Sequence, residues 1–102
     1  MLNITNADRR NGVFEYGIAL GRAHWRKGYA SDAIRLILNY FFRELRYQKA
    51  LVTVYGFNEA SLRLHQKLGF QIEGRMRRMI FSHGSLHDEI VLGLLAEEFT
   101  DT

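Results

Sequence analysis

The stretch Trp25-Arg26-Lys27-Gly28-Tyr29-Ala30-Ser31-Asp32-Ala33 decides how this chain folds. An apolar run precedes it (Val13, Phe14, Tyr16, Ile18, Ala19, Leu20), and a helical pattern follows without a break. A strand that turns through small residues directly into a helix leaves backbone N–H groups unpaired at the helix start. Those donors and the positive end of the helix dipole together make an anion site. Gly28 and Ala30 carry little or no side chain, so a phosphate can approach the backbone closely, and Arg26 and Lys27 add mobile positive charge. The segment reads as a pyrophosphate cradle. A plainer reading stands beside it: an ordinary turn before an amphipathic helix capped by Ser31 and Asp32.

Downstream, Ala30, Ala33, Ile34, Ile37, Leu38, Phe41 and Leu45 recur at helical spacing, while Ser31, Asp32, Arg35, Asn39 and Arg43 fall outside that stripe. Upstream, residues 2–5 read as a short strand, 6–12 as a polar turn and 13–20 as a strand, with Gly17 as a bulge or point of close approach. Residues 50–55 are apolar and β-branched, as expected of a strand buried on both faces. Asn58 suits the N-cap of a second helix over 59–68, and Gly69 suits its left-handed end. Residues 70–73, 76–82 and 88–95 read as further strands, the last two joined by a turn at His83-Gly84-Ser85. The order β–β–α–β–α–β–β predicts an α/β fold around a mixed sheet, in a single domain over 1–102.

Composition narrows the chemistry. A chain of 102 residues, 47% hydrophobic and 13% aromatic, can build one packed core. The net charge of +3 suits an anionic ligand but falls short of a nucleic-acid footprint. No cysteine is present, which removes disulfides, thiolate catalysis and cysteine-based metal sites. His24, His83 and His87 show no metal-ligand spacing, so no metal is expected. With no apolar run near the roughly 20 residues that cross a bilayer, and no signal peptide, a cytoplasmic protein is the expectation.

The Trp25–Ala30 loop and its helix are followed by a strand and by Asn58-Glu59-Ala60-Ser61-Leu62-Arg63-Leu64-His65-Gln66-Lys67-Leu68-Gly69-Phe70. This succession resembles the GNAT N-acetyltransferase superfamily. The first block is similar to its acetyl-CoA pyrophosphate motif, Gln/Arg-x-x-Gly-x-Gly/Ala, with Trp25 in place of the usual Gln or Arg. The second is similar to its Asn-x-x-Ser/Ala motif ending in Leu-Gly-Phe. Glu73-Gly74 and residues 88–92 resemble the branch of ribosomal-protein and spermidine N-acetyltransferases. The resemblance covers nearly the whole chain, which looks like the carboxy-terminal two-thirds of the fold without the usual amino-terminal β-α-α-β portion. It implies either a fragment or a surface supplied by another chain. An unpaired sheet edge is then expected to be covered by a homo-oligomer, with exchanged elements as one route.

By resemblance, the expected activity is transfer of an acetyl group from acetyl-CoA to a primary amine by direct attack, the acceptor being a polyamine, a protein amino terminus or another small-molecule amine. Trp25, Arg26, Lys27, Gly28, Tyr29, Ala30 and Ser31 would hold the diphosphate. The edge of Ile18, Ala19 and Leu20 would pair with the pantetheine amides as a further strand. Asn58 would lie near the pantetheine arm while also capping its helix, and Ser61 and Arg63 would reach the cofactor from the same helix. His65 stands where many relatives place a tyrosine that protonates the departing thiolate. An imidazole with a reference pKa near 6.5 can do this, though a partly exposed helical histidine without chemistry is the plainer reading. Glu15 lies near the place of a general base acting through water, which an ammonium of pKa about 10 requires at neutral pH; an exposed strand glutamate is the alternative. Asp88 and Glu89 could draw a cationic acceptor or be simply solvated. The arginines 9, 10, 75, 77 and 78 lack an aromatic stacking motif, so neither nucleic acid nor membrane is an expected partner. The competing class is a non-catalytic CoA-binding or interaction module.

Overall fold

A computed structural model describes residues 2–18 and 29–100. Strand β1 (Leu2–Asp8) turns into β2 (Val13–Ile18); helix α1 (Tyr29–Asn39) continues as a π-helical turn (Tyr40–Glu44). Then come β3 (Lys49–Tyr55), α2 (Glu59–Lys67), β4 (Gln71–Ser82), β5 (Ser85–Leu95) and a short 3₁₀ turn (Ala96–Glu98). The sheet order is β1-β2-β3-β5-β4. Among the described residues, β2 and β3 pair in parallel and the other three strand pairs are antiparallel. The mixed α/β architecture is the one the sequence predicts.

Strand alternation places the core on one side of this sheet. Phe14 and Tyr16 of β2, Ala50, Val52 and Val54 of β3, and Ile90, Leu92 and Leu94 of β5 are all buried, and the register sets them in rows across the three strands. Ile34 and Leu38 of α1, Phe41 and Phe42 of the π turn, and Leu68 at the end of α2 join the same cluster. Both helices therefore cover one face. The odd-numbered positions of β3 form the other face, and Thr53 and Tyr55 there are exposed. This corrects the expectation that β3 is buried on both sides: its β-branched run reflects strand propensity as much as burial.

Other local expectations also shift. Strand β1 extends through Asp8, so the polar turn is shorter than 6–12. Its bulge lies at Thr5, between the Ile4 and Asn6 pairings, rather than at Gly17. The first helix widens over its last turn, where Leu45 N–H donates to Tyr40 O at 3.0 Å. Phe41 and Phe42, consecutive on this turn, are both 7% exposed. Residues 71–82 form one strand with two irregularities rather than two strands, and β5 begins at Ser85. His83 and Gly84 (φ 53° and 77°) make the two-residue hairpin turn, both in the left-handed region.

Candidate active site

The parallel pair opens before its strands end. Pairing between β2 and β3 runs from Val13↔Lys49 to Tyr16↔Val52 and stops there. Yet β2 stays paired with β1 through Ile18, and β3 with β5 through Tyr55. Each strand keeps its outer neighbour while the inner rungs are missing, so a cleft opens between their carboxyl ends with Tyr16 and Val52 at its vertex. Ligands of open α/β sheets collect at such carboxyl ends.

Helix α2 brings polar atoms to this vertex. Asn58 Oδ1 accepts from the Ser61 N–H at 3.2 Å, an N-cap worth about 1 kcal/mol. One turn apart on the inward side, Ser61 and His65 are 4% and 0% exposed. His65 Nδ1 lies 2.8 Å from Ser61 O and 3.4 Å from Ser61 Oγ. A carbonyl only accepts, so the hydrogen belongs on Nδ1, and the neutral ring keeps a lone pair on Nε2. That nitrogen is buried without a partner, and so is the Tyr16 hydroxyl. The two rings lie 5.9 Å apart, and Phe70 packs edge-on to both. Burial pushes the Tyr16 hydroxyl well above the usual phenol range. It pulls His65 below 6.5, only partly opposed by the Ser61 carbonyl.

The remaining expected residues are distributed as follows. Ile18 is half-buried at the end of β2, beside the opening. Tyr29 begins α1, Ala30 is buried, and Ser31 is half-buried in the first turn. Ala19, Leu20, Trp25, Arg26, Lys27 and Gly28 lie outside the described residues. Arg63 is exposed on α2, 3.8 Å from Glu59, on the side away from Ser61 and His65. Glu15 is half-buried on β2 with parity opposite to Tyr16, so it faces the uncovered side of the sheet. His65 is not the partly exposed helical histidine of the plainer reading. The sequence shows Tyr16 only as part of an apolar strand; its one signal there is a hydroxyl-bearing side chain at the inward parity, two residues after Phe14.

A shallow depression of about 290 Å³ beside β5 is lined by Gly56, Phe57, Arg75, Leu86, His87 and Asp88. Asp88 accepts from Arg78 N–H at 3.1 Å and Arg75 at 3.0 Å. The Arg78 amide first, and then Arg75, hold its carboxyl below the usual range. Its charge is spent inside the hairpin, where it also fixes Arg78 at φ 54°, rather than offered to a cation. Among the described residues no group of three or more His, Asp or Glu side chains is placed to hold a metal. No helix among them is long and apolar enough to cross a membrane.

A model of the GNAT acetyltransferase domain matches residues 1–71. The chain belongs to the GNAT acetyltransferases. An uncharacterized, prophage-derived N-acetyltransferase of Bacillus subtilis, YokL, is 46% identical over 97% of this chain and 56% of its own length. The spermidine N(1)-acetyltransferase of Escherichia coli is 26% identical over 97% of this chain and 52% of its own. The crystal structure of a probable acetyltransferase superposes with a TM-score of 0.87 at 28% identity, covering 96% of this chain and 55% of that one. A Vibrio cholerae spermidine N-acetyltransferase in complex with CoA and spermine shares the fold, with a TM-score of 0.84 at 24% identity over 93% of this chain and 56% of that one. This GNAT chain thus spans about half the length of the relatives it matches.

Proposed function

We propose that the protein is an N-acetyltransferase that takes acetyl-CoA as donor and a primary amine as acceptor, by direct attack. The observation that carries this reading is the opening between β2 and β3, with two unpartnered buried polar atoms at its vertex. Acetyl-CoA supplies an activated acetyl thioester. Trp25–Ser31 hold its diphosphate, the edge of Ile18, Ala19 and Leu20 pairs with its amide arm, and Asn58 and Ser61 line its path. Arg63, on the outer side of α2, serves the adenine end or only Glu59. Glu15 takes the proton of the amine through water from the uncovered side of the sheet, while His65 and Tyr16 face the covered side. His65 can give a proton only as imidazolium, which its burial disfavours near neutral pH.

An amine acceptor is supported by the relatives, one of which is a spermidine N(1)-acetyltransferase. Titration calorimetry with acetyl-CoA, followed by thioester consumption against polyamines and amino-terminal peptides, tests the proposal. Saturable binding and amine-dependent turnover are expected. Binding without turnover on the full-length protein would favour a non-catalytic CoA-binding module, and no binding would sink both.

Self-association completes the reading. Met79, Phe81 and Leu86 on the β4–β5 hairpin are 55%, 72% and 53% exposed, an apolar surface for a second copy. Sedimentation at micromolar concentration is expected to show a dimer or larger species; a stable monomer would contradict it.

A further inference from the structure

We propose that Tyr16 is the hydrogen-bond donor to the sulfur of CoA, with His65 Nε2 as the facing acceptor for the thiol that is released, both at the vertex of the β2–β3 opening. This deepens the acetyl-CoA reading and rests on it.

Two buried polar atoms without partners, on rings 5.9 Å apart, are a standing cost to the fold. They come from different elements, β2 and α2, so no single local distortion accounts for both. Their hydrogen-bonding characters are also complementary. The hydrogen on Nδ1 is committed to Ser61 O, which leaves Nε2 as an acceptor. The Tyr16 hydroxyl, kept protonated by burial, is a donor. A sulfhydryl matches the pair: sulfur accepts from the phenol, and S–H donates to the imidazole. A thioester sulfur carries less charge than the sulfur that leaves, so the phenol's bond strengthens as the reaction proceeds. Tyr16 transfers nothing. The amine nitrogen bonds to the acetyl carbon as the carbon–sulfur bond breaks with its electron pair on sulfur; the nitrogen loses one proton to water and the sulfur takes one from water, so the balance closes with Tyr16 still a phenol.

The test is Tyr16→Phe, which keeps the ring and deletes only the hydroxyl, with Tyr40→Phe on the exposed π turn as control. Calorimetry with CoA is expected to show affinity about 3- to 10-fold weaker for Tyr16→Phe and unchanged for Tyr40→Phe. In steady state, kcat should fall by about 10- to 100-fold with little change in KM for the amine. Without ligand, Tyr16→Phe should melt no lower than the wild type, because it removes a buried hydroxyl that has no partner. A lower melting temperature with unchanged CoA affinity would make the hydroxyl merely structural and overturn the inference, leaving acetyl-CoA binding intact. A wild-type protein with no affinity for CoA would overturn the inference and the function together.

Discussion

Phe14→Ala is expected to lower stability by about 3–5 kcal/mol, a large share of the roughly 5–15 kcal/mol that holds a domain of this size together. Phe14 is fully buried on β2, one of the two parallel strands, and stacks on Phe41 at 4.0 Å between ring centroids. It also meets Phe42 and Tyr47 edge-on, so one ring ties β2 to the π turn and to the segment leading into β3. Deleting it removes the apolar transfer energy and leaves a cavity bounded by aromatic rings that cannot close over it. Phe14→Leu should cost much less, since most of the volume returns. Urea melts followed by circular dichroism measure both. A loss below 1 kcal/mol for the alanine variant would mean that the π turn is not anchored through this contact.

Acidification is expected to destabilise the protein through His65 well before the carboxylates titrate. Its folded pKa lies below the unfolded value of 6.5, because burial opposes the imidazolium. Between those two values the unfolded chain binds the extra proton, so stability is full above about pH 6.5 and falls as the pH drops through the folded pKa. The steepest slope from one such group is about 1.4 kcal/mol per pH unit. His65→Leu should abolish that slope, and because it also removes the unpartnered Nε2, it should cost little at pH 8. Thermal melts of both proteins between pH 8 and 5 compare them. Parallel curves would show that His65 is not the titrating group. Asp88 acts only lower, below its usual 3.8, where loss of the Arg78 and Arg75 contacts frees the hairpin bulge.

Much of the fold was legible because its signals are local. The stripe from Ala30 through Leu38 needs nothing but helical periodicity, Asn58 and Gly69 mark helix ends through their own backbone chemistry, and His83-Gly84 announces a tight turn. What periodicity could not reveal depends on partners distant in the chain. The widened turn at Tyr40–Glu44 sets Phe41 on Phe14 of β2, a contact between residues 27 apart in sequence that no local pattern announces. One-sided burial of β3 follows from both helices lying on the same side. The site divides the same way. His65 was visible from its spacing after Asn58, but its burial, its Nδ1 hydrogen and its neighbour Tyr16 emerge only when α2 is laid over β2.

The hairpin of β4 and β5 outruns the rest of the sheet. β3 pairs with β5 only from Glu89 to Leu95, so the rungs from Ile80↔His87 to Ser82↔Ser85 have no third strand. Because β3 runs antiparallel to β5, this free ribbon projects beyond the same strand ends where the sheet parts. A lone pair of strands has little stiffness of its own. The packed core therefore stops short of this ribbon, whose stiffness comes from the hairpin itself and from the Phe57 ring set against His87.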